Sequence, residues 1–207
     1  MKKLLLASSV LVMSLCGAAQ VSEGSYQARS DARVGKMRVS DFMETNAKGS
    51  QMVMAITPNS EQLSSADQQL FNQVALGGMR QLKISQAVLS KATDEQVRLL
   101  AQSEVEEQTT VSAKLKELAS AKGASMPTEP DAETVALVNQ VNNMSGAEVN
   151  RFYIEQSGVR GHELLQETMR TVRSNADDDN MKDLAKATLP VIKTHLKVSK
   201  QIHNKMK

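Results

Sequence analysis

The apolar residues of the chain recur at helical spacing from about residue 65 onward, with charged residues on the opposite faces. This period predicts four long amphipathic helices, and a short extra helix between the second and the third. The predicted helices cover residues 66–90, 94–122, 131–142, 145–174 and 180–205. Because the connections between them are short, we expect an all-α protein, a four-helix bundle.

Composition supports this fold. Hydrophobic residues make up 41% of the chain, but aromatic residues only 2%, and there is no Trp. Strands favour aromatic and β-branched residues, whereas Ala, Leu, Met, Gln, Lys and Glu favour helices.

Glycines interrupt two of the predicted helices. Gly77 and Gly78 lie within the first, and Gly161 lies within the third. A glycine inside a helix costs about 1 kcal/mol relative to alanine. We therefore expect Gly78 and Gly161 to lie where a neighbouring helix approaches closely.

The first 19 residues have the pattern of a secretory signal peptide. Lys2 and Lys3 precede a short apolar run, residues 4–15, which is followed by small residues up to Ala19. The run is too short for a stable membrane span. We predict cleavage after Ala19, a periplasmic or secreted mature protein, and no transmembrane span in the mature chain.

The only cysteine, Cys16, offers an alternative. Acylation of Cys16 would make the protein an outer-membrane-associated lipoprotein, although Leu15 stands where lipoproteins need a small residue. Cleavage after Ala19 instead leaves a chain without a thiol. That cleavage also removes Lys2 and Lys3 and lowers the formal net charge from +2 to zero. A neutral chain with few aromatics gives no reason to expect nucleic-acid binding.

Residues 20–64 are polar, with turn signals at "AKGS" and "TPNS". We expect a largely disordered leader here, with a short helix near residues 39–46. Residues 65–207 then form the helical domain.

Polar residues interrupt the apolar face of each long predicted helix. A buried carboxylate is costly unless it is paired or bound to a metal ion, and bundle cores are where carboxylates and histidines build metal sites. The candidate ligands of one divalent ion (iron, manganese or zinc) are Glu104, Gln108, Glu155, His162 and His195.

The opposite interpretation is a hydrogen-bonded polar layer without a cofactor. Glutamine, as at Gln81 and Gln108, is a poor ligand for transition metals. The Glu-x-x-His pairs of di-iron bundles are missing from the sequence. A single histidine on an apolar face is usually satisfied by a neighbouring group.

Four segments resemble, in order, a large bacterial family. They are "ALGGMRQLKISQAVLSKATDEQVRLLAQ", "EEQTTVSAKLKELASAKGASMP", "SGAEVNRFYIEQSGVRGHELL" and "LAKATLPVIKTHLKVS". Together they are similar to the exported ferritin-like domain of unknown function number 4142, often labelled an outer membrane protein. The resemblance spans residues 67–199.

This resemblance implies a ferritin-like bundle in the cell envelope and no established reaction. His162 and His195 match the later histidines of the family. Members commonly carry an acidic residue followed by His where this chain has Glu107-Gln108, and Glu where this chain has Gln81 or Lys83. The resemblance thus implies that amides replace some of the family's ligand-capable positions.

The sequence contains no Ser-His-Asp spacing and no phosphate-binding loop. We therefore expect a non-enzymatic envelope protein that binds a partner or surface, associates with itself, or serves a stress-related role. The alternative is a ferritin-like metal-binding or redox bundle with a degenerate or single-metal site.

Overall fold

The computed structural model describes residues 32–207. The predicted signal peptide and Cys16 lie outside these described residues. The first elements are two short antiparallel strands, β1 (Arg33–Val34) and β2 (Met37–Arg38), joined through Gly35. The helices are α1 (Val39–Met54), α2 (Ser65–Leu89), α3 (Glu95–Lys122), α4 (Ala132–Asn143), α5 (Gly146–Tyr153), α6 (His162–Asn175) and α7 (Asp179–His203), and a π-helical segment (Ile154–Gly161) joins α5 to α6.

The predicted all-α bundle is confirmed. Helices α2, α3 and α7 and the continuous run from α5 to α6 correspond to the four long predicted helices, and α4 is the short one. Local chemistry sets the ends of α3. The Asp94 carboxylate accepts the amides of Gln96 and Val97 at its start, and left-handed Gly123 ends it.

The apolar core consists of two clusters that lie at successive levels along the bundle. On α2, Phe71 and Val74 belong to one cluster, and Ile84 and Val88 belong to the other. The same change of cluster occurs along α1, α3, α7 and the run from α5 to α6. The buried residues between the two clusters are mainly polar or small. They form one layer across the bundle: Asn46, Gly49, Gln81, Glu104, Glu107, Gln108, His162 and His195.

The prediction of a disordered leader over residues 20–64 is wrong for residues 32 onward. The predicted short helix is present, but it extends to Met54 as α1, which packs against α3 and α7. Phe42, Asn46, Gly49 and Val53 form its buried face. The sequence hides this face because only two of its four members are large and apolar.

The connection after α1 is also held in place. The Lys114 ammonium donates to the Ile56 carbonyl oxygen over 2.9 Å, and the Asn180 amide donates to the Thr57 carbonyl oxygen over 2.9 Å. The buried Lys122–Asp178 ion pair, 2.6 Å long, joins the end of α3 to the start of α7 beside this connection.

Within residues 32–207, none of the helices is both long enough and apolar enough to cross a bilayer.

Replacing Phe42 tests whether α1 is part of the fold. Phe42 is fully buried and its ring stacks on the His195 ring, with centroids 5.0 Å apart. We expect Phe42→Ala to lower the free energy of unfolding by about 3–5 kcal/mol, as for other buried aromatics. Urea denaturation of the purified protein measures this loss.

Met54→Ala is the matched control, because Met54 lies on the same helix and is 60% exposed. It should change the free energy of unfolding by less than about 0.5 kcal/mol. Equal, small effects of the two substitutions would mean that α1 does not contribute to the fold.

Candidate metal centre

The carboxylate of Glu104 is the centre of the polar layer. One of its oxygens, Oε2, lies 2.9 Å from His162 Nε2 and 2.9 Å from His195 Nδ1. Its other oxygen accepts the Gln108 amide over 3.0 Å. Glu104, His162 and His195 are all at least 98% buried. Three helical elements thus bring one carboxylate and two imidazoles together away from water.

In each histidine, the outer ring nitrogen (the one that points away from Glu104) faces an acceptor oxygen. His162 Nδ1 lies 2.9 Å from the Ser157 carbonyl oxygen and 3.1 Å from that of Gly158. His195 Nε2 lies 2.9 Å from the side-chain oxygen of Asn46. An outer N–H that donates to such an oxygen leaves the inner nitrogen with its lone pair, directed at Glu104.

The π-helical segment supplies the carbonyls that His162 meets. Its wider turn places the Ser157 oxygen, five residues earlier, beside the His162 ring. The Ser157 hydroxyl donates to the Gln81 side-chain oxygen over 2.8 Å. The Gln81 amide in turn lies 3.2 Å from His162 Nδ1. The Gln81 amide also donates to the Ser157 carbonyl oxygen over 3.3 Å, so Gln81 acts on His162 through the π-helical segment and lies outside the ligand cluster.

The same wide turn removes Glu155 from the site. Seven residues make about two turns of an α-helix, so the sequence predicts Glu155 and His162 on one side. The intervening π-helical turns hold more residues each, and this rotates Glu155 away. Glu155 is half-buried beside Arg151 and Phe152, outside the cluster.

Gln108 supports the site by binding Glu104, and it lies outside the three-residue ligand cluster. It binds Glu104 through its amide nitrogen, and its oxygen packs over Gly78, where an added Cβ would approach to 2.8 Å. The expected close approach at Gly78 is therefore present. An amide that donates to a carboxylate orients it without competing for a metal ion.

Burial and mutual charge set the protonation of the cluster. Burial alone would raise the pKa of Glu104, but His162 and His195 outweigh it and hold that pKa well below its usual range. Burial opposes a charge on His162, yet Glu104 and the two carbonyls outweigh it and raise its pKa. Burial lowers the pKa of His195, and its hydrogen bond to Glu104 opposes this only in part. A second proton therefore resides on His162 more readily than on His195.

Two polar residues of the layer, Asn46 and Glu107, are not among the candidate ligands predicted from the sequence. Asn46 lies on α1, which was assigned to the leader. Glu107 is 95% buried, and its Oε2 has no hydrogen-bond partner within residues 32–207. Burial, reinforced by the charge of Glu104, raises the pKa of Glu107 well above its usual range. Its spacing of three residues from Glu104 was the available signal, because this spacing keeps both on one helix face.

The donor set fits a transition-metal ion. One ligand atom each from Glu104, His162 and His195 lies within 4.8 Å of the other two. Imidazole nitrogen with carboxylate oxygen is the ligand chemistry of zinc and iron sites. The unpartnered oxygen of Glu107 lies 3.8 Å from His195 Nδ1 and is a further potential ligand atom nearby.

Comparison with known proteins places the chain in a family. The sequence profile described as a domain of unknown function (DUF4142) matches residues 53–202, well over half of the chain. The chain belongs to the DUF4142 family. The DUF4142 match includes Glu104, His162 and His195 but begins after Asn46, near the end of α1.

No curated protein and no solved structure is similar enough to this DUF4142 protein to count as a match.

Gly161 tests the close packing around His162. An added Cβ would lie 2.6 Å from the Gln81 side-chain oxygen, which Ser157 holds in place. We expect Gly161→Ala to lower the free energy of unfolding by about 1–3 kcal/mol, because it overpacks this contact. Urea denaturation monitored by circular dichroism gives the difference.

Gly77→Ala is its matched control. There the added Cβ meets only the flexible end of Leu165, at 2.9 Å, and alanine improves helix propensity by up to about 1 kcal/mol. This variant should be as stable as the wild type or more stable. If Gly161→Ala behaves in the same way, the contact with Gln81 does not constrain the site.

Proposed function

We propose that this DUF4142 protein is an exported, ferritin-like helical bundle that binds one divalent transition-metal ion through Glu104, His162 and His195. The ion would lie between the Glu104 carboxylate, His162 Nε2 and His195 Nδ1. Iron, manganese and zinc are the ions whose ligand preferences this set meets. Such an ion supplies Lewis acidity or redox chemistry when bound. The residues of the chain hold and orient it.

The contact of His162 Nδ1 with two backbone carbonyls carries this proposal. Backbone carbonyls accept hydrogen bonds and never donate them, so these two contacts require an N–H at Nδ1, and a neutral His162 then presents its Nε2 lone pair to Glu104. The Gln81 amide, 3.2 Å from Nδ1, donates to the Ser157 carbonyl oxygen instead. Metal-binding histidines typically have this arrangement, since their other N–H donates to a carbonyl or carboxylate.

His195 adds a second argument. With the Asn46 side-chain oxygen 2.9 Å from Nε2 and Glu104 Oε2 2.9 Å from Nδ1, both ring nitrogens of His195 face oxygen atoms. A neutral imidazole has only one N–H, so one of these two contacts needs either a second proton or a metal ion. Because burial disfavours a second proton on His195, a metal ion meets this need better than a proton.

The distances between the three ligand atoms are compatible with a bound metal ion. Two ligands that are each about 2.05 Å from a metal ion, at right angles, are about 2.9 Å apart. Both imidazole nitrogens lie 2.9 Å from Glu104 Oε2. A tetrahedral ion would separate its ligands by about 3.3 Å, so the side chains would rotate apart as it enters.

Export rests on the pattern of residues 1–19, and an envelope location follows from it. A non-enzymatic role in binding a partner or surface also stays a prediction. It is compatible with a metal ion that stabilises the bundle.

Metal analysis tests the proposal. Mature protein that has been exposed to iron, manganese or zinc and then desalted should hold about one ion per chain, measured by inductively coupled plasma mass spectrometry. His162→Ala and His195→Ala should each remove it. The bound ion at 100 times its dissociation constant adds about 2.7 kcal/mol, so the melting temperature should rise by about 5–10 °C.

His203→Ala is the matched control, because His203 is at the end of α7 and outside the cluster. It should retain the ion. Protein that takes up none of the three metals, or that takes up as much after both cluster substitutions as before, would defeat the proposal.

A further inference from the structure

We infer that Glu107 is a fourth protein ligand of the ion, so that the centre is a two-histidine, two-carboxylate site selective for divalent ions. This inference rests on the proposed function. It names a ligand and a charge preference that the three-residue cluster alone does not specify.

The first observation is that Glu107 lacks a partner. Its side chain is buried, and no donor within residues 32–207 reaches Oε2. The hydroxyl of Thr188, which borders the same gaps as Glu107, donates its hydrogen to the Leu184 carbonyl. An unpaired buried carboxyl group is costly, and its retention beside three potential ligands indicates a partner that binding supplies.

The second observation is the charge of the site. A divalent ion held by Glu104 and two neutral histidines would leave a net charge of +1 inside the bundle. No other acidic side chain is buried near the cluster among the described residues. Ionised Glu107 would bring the sum to zero, and a neutral buried site is far less costly than a charged one. With a monovalent ion, the same four ligands would leave a net negative charge.

The third observation is distance. Glu107 Oε2 lies 3.8 Å from His195 Nδ1, and two ligands of one zinc-sized ion are at most about 4.2 Å apart. Glu107 does not belong to the set of three mutually close ligand atoms, so its side chain must rotate to bind.

The packing around Glu107 is aliphatic and incomplete. Glu107 borders two small gaps in the packing, one among α2, α3, α6 and α7 and the other among α1, α3 and α7. Their walls are mainly aliphatic side chains and glycine, including Gly49 and Gly78. A rotamer change of Glu107 toward the ion is therefore accompanied by small shifts of these aliphatic neighbours.

Cobalt(II) titration of the full mature protein tests the inference, because four-coordinate cobalt absorbs visible light much more strongly than six-coordinate cobalt. Glu107→Gln keeps the shape of the side chain and removes its anionic form. We expect it to weaken cobalt binding by about 10- to 100-fold and to change the visible spectrum. Its metal-free melting temperature should equal or exceed that of the wild type.

Glu106→Gln is the matched control, since Glu106 is the exposed neighbour on α3. Its affinity and spectrum should match those of the wild type. If Glu107→Gln proves unfolded, Glu107→Met provides a second neutral side chain of similar length, with the same expected loss of affinity.

The possible outcomes separate the two proposals. Wild-type protein that binds no cobalt overturns both the metal site and the role of Glu107. Wild-type protein that binds cobalt, with unchanged affinity and spectrum in Glu107→Gln, retains the three-residue site and overturns only the fourth ligand.

Discussion

An ionised carboxylate in the middle of a helical bundle needs opposite charge and hydrogen-bond donors around both of its oxygens. Gln108 on α3 donates to one oxygen of Glu104. His162 on α6 and His195 on α7 each place a ring nitrogen 2.9 Å from the other oxygen, where a proton or a metal ion supplies the positive charge. Each histidine then needs support at its outer nitrogen, which involves α1 and the π-helical segment. The polar layer thus fixes how these helices are placed relative to one another, whereas the two apolar clusters on either side supply most of the stability.

Backbone geometry allows this layer to form within a close-packed bundle. The π-helical segment directs the Ser157 and Gly158 carbonyl oxygens at His162, which an uninterrupted α-helix would keep in its own hydrogen-bond ladder. Glycine at positions 78 and 161 leaves room for the side chains of Gln108 and Gln81. Helix propensity is lost at these positions in favour of side-chain placement, as is common at functional sites.

The long helices and most of the layer follow from the sequence. Helical period identified α2, α3 and α7, and breaks in their apolar faces identified the buried cluster around Glu104. Periodicity assumes a constant 3.6 residues per turn, so it misplaced Glu155 when a π-helical segment intervened. It predicts only the first half of α1 and not its packing, because the buried face of α1 contains Asn46 and Gly49. Contacts between distant segments, such as Asn46 with His195, leave no periodic signal in a single sequence.

X-ray diffraction from crystals of the metal-loaded protein, recorded at the absorption edge of the ion, tests the metal centre most directly. We expect one anomalous difference peak about 2.0–2.2 Å from His162 Nε2, His195 Nδ1 and a Glu104 oxygen. This expectation would be contradicted by a loaded protein with no peak at this position and with both histidines still hydrogen-bonded directly to Glu104.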